Sequence, residues 1–114
     1  MAVLIDGVHT MPSSTHLRRY LRHGRLPELA AFDSVMRLGH FGDAAAELHI
    51  AQSTLSGHLR KLADALDVCL FESQGRRRVP TPAAHTLHDA VADILAALQR
   101  ADLALQAMGA TTSH

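Results

Sequence analysis

The sequence predicts a mainly α-helical fold, in which a helix-turn-helix is followed by a short β-hairpin and one long C-terminal helix. Three observations predict it. Leu55, Leu59, Leu62 and Leu66 are spaced 4, 3 and 4 apart, the apolar stripe of an amphipathic helix over Gln52 to Leu66. Only His49-Ile50-Ala51 separates that helix from a very short one, Gly42 to Leu48, whose Ala44, Ala45 and Leu48 are small or apolar. Leu87, Val91, Ile94, Leu98, Ala101, Leu105 and Met108 then alternate at spacings of 4 and 3, a strict heptad pattern.

In chain order, the first dozen residues are aperiodic and read as a disordered start. Ser13, Ser14 and Thr15 offer caps for a short basic helix ending at Gly24. Pro27 suits the first turn of the next helix, with Leu29, Phe32, Val35 and Met36 on one face and Gly39 as its stop. Beyond the helix-turn-helix, Val68-Cys69-Leu70-Phe71 has strand character. Gln74-Gly75 supplies a turn, and Arg76-Arg77-Arg78-Val79 returns as a second strand. A lone hairpin is barely stable in water, so it must lie against the helices. Thr81-Pro82 is a cap followed by an N1 proline, and nothing breaks the last helix before Gly109. A helix of ~27 residues runs ~40 Å, more surface than three short helices can cover. The heptad stripe from Leu87 to Met108 therefore predicts a dimer seam, ahead of packing on its own domain alone. The resulting division is an N-terminal extension at 1–25, a helix-turn-helix unit with hairpin at 26–80, a linker or dimerisation helix at 81–108 and a tail at 109–114.

Composition narrows the function. At 114 residues there is room for one domain. No apolar run approaches the ~20 residues that span a bilayer, and Ala2-Val3-Leu4-Ile5 is too short for a signal peptide. The expected home is the cytoplasm, with no membrane partner. One cysteine, Cys69, excludes an internal disulfide and a four-cysteine zinc site. It lies in an apolar run, and no nucleophile with a paired base stands out, so no enzyme chemistry and no catalytic residue is expected. His85 and His88 stand three apart, as metal ligands on a helix can, but nothing completes a set. They read as solvated helix surface, and neither a metal nor a cofactor is expected. The formal net charge of zero is a sum of unlike parts. Residues 18–78 carry ten Lys/Arg against seven Asp/Glu, whereas residues 79–114 carry Arg100 against Asp89, Asp93 and Asp102. Much of the positive charge is clustered, at Arg18 to Arg25, at Arg60-Lys61 and at Arg76-Arg77-Arg78.

An ordered set of residues then carries a resemblance. It comprises Phe32, Gly39-His40-Phe41, Ala44-Ala45, Ala51-Gln52-Ser53-Thr54-Leu55-Ser56, Leu62, Leu66, Leu70-Phe71-Glu72, Gly75-Arg76-Arg77-Arg78 and Thr81 with Ala83. This set resembles the N-terminal winged helix-turn-helix of LysR-type bacterial transcription regulators, from about Leu26 to Met108. The hairpin would be the wing. The effector-binding domain of such regulators has no counterpart in these residues. There are departures: Ala51 stands where relatives usually have a capping Ser, Gly57 where many carry Arg, and Asp67 where glycine is frequent.

The resemblance implies sequence-specific binding of double-stranded DNA. A recognition helix reads the major groove with its N-terminal residues. Gln can hold adenine through two hydrogen bonds, and Ser can donate or accept. Gln52, Ser53 and Ser56 are accordingly the expected base readers, with Thr54 and His58 on the flanks. Arg60 and Lys61 are expected on phosphate, and Arg76, Arg77 and Arg78 at the wing, gripping the backbone or entering a minor groove. In this family the long helix pairs antiparallel with its twin, so a homodimer on an inverted repeat is expected, at the bacterial nucleoid. A second expectation stays open: a small partner that pairs through Leu87 to Met108 with a longer regulator and antagonises it.

Overall fold

Among the residues described by the computed structural model, 26–109, six elements follow one another. They are α1 (Leu26–Leu38), α2 (Phe41–Leu48), α3 (Gln52–Leu66), β1 (Phe71–Gln74), β2 (Arg77–Pro80) and α4 (Pro82–Ala107). The expected short helix ending at Gly24, with Arg18 to Arg25, lies outside the described residues, as do residues 110–114 of the tail.

Each helix boundary has a local cause. In α1, Glu28 in the first turn and Arg37 in the last complement the helix dipole. Gly39, at φ 72°, ends it with its N–H 2.8 Å from the Val35 carbonyl. Both α2 and α3 close in Schellman fashion. The Ile50 N–H reaches back to the Ala45 carbonyl and the His49 N–H to that of Ala46, while Val68 and Asp67 repeat the pattern on Ala63 and Asp64. The left-handed residues are His49 and Asp67, both at φ 57°. This explains why glycine is favoured at the Asp67 position. At α4, Thr81 accepts from the Ala84 N–H and Pro82 takes the first turn, as the sequence indicates.

The core is where α1, α2, α3 and the start of α4 meet. Phe32, Leu55, Leu62 and Val91 are its largest fully buried apolar side chains, joined by Leu29, Val35, Ala44, Ala45, Leu59 and Leu70. Leu66 closes the predicted α3 stripe at the half-buried edge.

Two expectations change. The hairpin begins at Phe71, not Val68, with Phe71 opposite Pro80 and Gln74 opposite Arg77. The α3 cap holds Val68, and Leu70 turns into the core, so pairing starts only where the chain comes free. Gly75 alone takes a positive φ, 64°, in the two-residue loop with Arg76, as a type II′ hairpin turn requires. The heptad stripe also divides. Val91 is only 1% exposed and belongs to its own domain's core, with Leu87 half-buried against it. Ile94, Leu98, Leu105 and Met108 are 41–78% exposed, and Ala101 is exposed as well. The first turns of α4 are occupied in packing the globule, so Val91 is not available as seam.

Candidate nucleic-acid interface

The apolar stripe of α3 decides which of its side chains can be offered outward. With Leu55, Leu59 and Leu62 buried, helical periodicity sets Ser53, Gly57 and Arg60 on the far side. Gln52, Ser53 and Thr54 are exposed, as are Arg60 and Lys61, whereas Ser56 and His58 are half-buried on the flanks. Gly57 is half-buried on the same face, with open space where a Cβ would stand. The helix starts from Ala51, in extended conformation and with no side-chain cap. Its first-turn N–H groups therefore face outward without a side-chain acceptor, the arrangement that attracts anions.

The wing stands beside this helix. Ser56, Arg60, Ala63, Cys69 and Arg78 border a cleft of about 210 Å³ between α3 and the hairpin. A second cleft, about 470 Å³, is bordered by Gly39, His40, Phe41 and the three arginines Arg76, Arg77 and Arg78. Of the expected residues, Ser56 and Arg60 of α3 and Arg76, Arg77 and Arg78 of the wing thus border these two clefts, whereas Gln52, Ser53, Thr54, His58 and Lys61 border neither.

Charge on this surface is organised by position. Over residues 26–80 there are six Lys/Arg against seven Asp/Glu, so the unit has no cationic excess. Among the described residues, however, Arg60, Lys61, Arg76, Arg77 and Arg78 make no ion pair. Arg37 is fully engaged instead. Its Nη2 lies 2.6 Å from Glu47 Oε1 and its Nε 2.8 Å from Asp33 Oδ2. Ser34 Oγ donates to the same Glu47 oxygen at 2.6 Å. Asp33 also meets His88 Nε2 at 2.8 Å. Burial, the largest single influence, pushes the Asp33 carboxyl up, but the hydrogen bonds and charges of Arg37 and His88 together outweigh it and hold it below its ordinary value. Glu47 is lowered by its bonds from Arg37 and then Ser34, and Arg37 is raised by Glu47 and then Asp33. This network ties α1, α2 and α4 together.

Three features escaped the sequence reading. His88 is not solvated surface: it bonds Asp33, 55 positions away, and sits edge-on to Phe32 with ring centres 5.9 Å apart. His85 is exposed, as expected, and no group of three metal-binding side chains occurs among the described residues. Arg78 lies over the Phe41 ring. The half-burial of Ser56 and His58 follows from a helical wheel centred on the three buried leucines, which was already available in the sequence. The Arg78 and His88 contacts join distant segments and leave no local signal. No helix among the described residues is long and apolar enough to cross a membrane.

A family profile described as "Bacterial regulatory helix-turn-helix protein, lysR family" matches residues 26–85. Over 79 residues the chain is 38% identical to the RuBisCO operon transcriptional regulator of Acidithiobacillus ferrooxidans, covering 69% of this chain and 26% of that protein. Among solved structures it is similar to a probable transcriptional regulator from Pseudomonas aeruginosa, at 41% identity and TM-score 0.66, covering 73% of this chain and 28% of that one. It is also similar to the BenM DNA-binding domain solved with benA site 1 DNA, at 26% identity and TM-score 0.65, covering 79% of this chain and 99% of that one. The chain spans 26–30% of the length of the first curated regulators it matches.

Proposed function

The chain belongs to the lysR family of bacterial regulatory helix-turn-helix proteins, and we propose that it is a transcription-regulatory module that reads an inverted repeat in double-stranded DNA as a homodimer. The observation that carries this reading is the exposed, uncapped start of α3 beside five cations that no carboxylate neutralises. The BenM domain, solved with DNA, supports it. Residues 26–80 form the reading head and residues 81–108 the linker helix. Gln52 and Ser53 read base edges from the first turn of α3, and Ser56 does so from the flank toward the wing. Thr54 and His58 touch the margins. Arg60 and Lys61 take phosphate, setting register without sequence information, and the wing, with Arg76, Arg77 and Arg78, meets the backbone or an adjoining minor groove. Ile94, Leu98, Ala101, Leu105 and Met108 pair two chains, so that two heads meet half-sites separated by whole helical turns of DNA. The module works without enzymatic chemistry, in the bacterial cytoplasm at the nucleoid.

Selection of bound duplexes from a random pool, followed by salt titration, tests the reading. An enriched inverted repeat is expected, with log K falling against log salt by nearly one unit per phosphate neutralised. No enriched sequence and no salt dependence, with capture of a longer relative through α4, would replace this function by antagonism of that regulator.

A further inference from the structure

The wing arginines are not equivalent. In the hairpin register Ser73 faces Arg78 and Phe71 faces Pro80, whereas Gln74 faces Arg77. Side chains alternate along a strand, so Arg78 shares a face with Phe71 and Arg77 takes the other. Phe71 meets Phe41 edge-on at 5.5 Å between ring centres and Phe32 at 6.2 Å. Phe32 is fully buried. The Arg78 guanidinium carbon lies 5.1 Å from the centre of the Phe41 ring, inside cation–π range. An unbroken run of rings thus leads from the wing, through the start of α2, into the core. Arg78 and Phe41 together border the cleft against α3, with Ser56 and Arg60.

We propose that Arg78 is a positioning residue: seated on Phe41, its guanidinium fixes the angle of the wing against α2 and α3 so that Arg76 and Arg77 reach the DNA backbone while α3 occupies the groove. The inference rests on the DNA-binding function proposed above. Arg78 differs from its neighbours in a checkable way, because its worth depends on an uncharged partner, Phe41. A phosphate contact depends on charge and on salt, and owes nothing to that ring.

The test is a double-mutant cycle on the full chain, using the duplex it selects. Phe41→Leu removes the ring and no charge. It is expected to weaken binding about two- to fivefold, the range of an exposed cation–π contact, with the salt slope unchanged and Phe41→Tyr restoring affinity. Arg78→Ala is expected to cost severalfold alone and little more when combined with Phe41→Leu. Arg77→Ala should instead lower the salt slope by about one, at the same cost in either background. In the free protein, the Arg78 side-chain protons should show an upfield ring-current shift that Phe41→Leu abolishes, with thermal melting confirming that the variants remain folded. Equal costs of Arg78→Ala with and without Phe41, or a slope lowered by about one on Arg78→Ala, would make Arg78 an ordinary phosphate contact and overturn the proposal. A wild-type chain with no salt-dependent duplex binding would overturn the DNA-binding reading and this role with it; the first titration therefore separates the two failures.

Discussion

Thr81 joins the wing to the long helix, and replacing it tests how that joint is held. Its side chain is 5% exposed. Oγ1 donates to the Cys69 carbonyl at 2.7 Å and accepts from the Ala84 N–H at 3.2 Å, so one hydroxyl serves as helix cap and as clasp on the residues entering β1. Thr81→Val keeps the shape and removes both bonds. Loss of the cap is worth about 1 kcal/mol, and the carbonyl left short of its donor adds about another 1 kcal/mol. A total near 2 kcal/mol is expected. Thr81→Ser retains the hydroxyl and gives up one methyl, about 0.8 kcal/mol. The informative quantity is the difference, with valine below serine by about 1 kcal/mol. The assay is urea unfolding of the full chain followed by circular dichroism, comparing midpoints at unchanged m-value. If valine proves as stable as serine, the hydroxyl is not what holds the joint and the argument is wrong.

Further outcomes follow from the same structure. Ala51→Ser places a hydroxyl where the backbone is already in cap conformation and should raise stability by about 1 kcal/mol, seen as a higher melting temperature. Gln52→Ala should cost about 1–3 kcal/mol on the selected duplex and relax preference at one base position, read by repeating the selection with the variant. The Asp33 carboxyl is held below its ordinary value. Its stabilising contribution is therefore complete above the unfolded carboxyl pKa of about 3.9 and lost as pH falls through the lower folded value. The urea midpoint should drop on acidification below about pH 4, and Asp33→Asn should make that drop shallower. An identical acid limb in the variant would remove Asp33 from the account.

What was legible in the sequence is what repeats locally. The leucine spacing of α3, the three-residue turn before it and the Thr81-Pro82 start of α4 are written in neighbouring residues, and all three stand in the structure. The hairpin shifted because Val68 and Leu70 have apolar side chains that suit a strand, whereas one is held by a helix cap and the other is taken into the core. Of the expected base-reading and phosphate residues of α3, Gln52, Ser53, Arg60 and Lys61 are exposed, whereas Ser56 is half-buried, and of the two expected flank residues Thr54 is exposed and His58 half-buried. Gly57, at the centre of that face, was noted only as a missing arginine. The partners of Arg78 and His88 come from elsewhere in the chain, and no periodicity records them.

The outer part of α4 carries a last consequence. Every residue from Ala97 to Met108 is exposed, so in a single chain these turns rest on helix propensity, on the local Gln106–Asp102 hydrogen bond and on continuity with the packed start of α4. A helix nucleated at one end pays no second nucleation cost, but its unpacked far end frays. On the homodimer reading proposed above, pairing suppresses fraying of that stretch. Ellipticity at 222 nm should climb with protein concentration, and the same titration should mark where two heads acquire a defined separation. On that reading cellular abundance would act as an input, because below the pairing threshold the chain would keep its head but lose the ruler that sets the distance between half-sites.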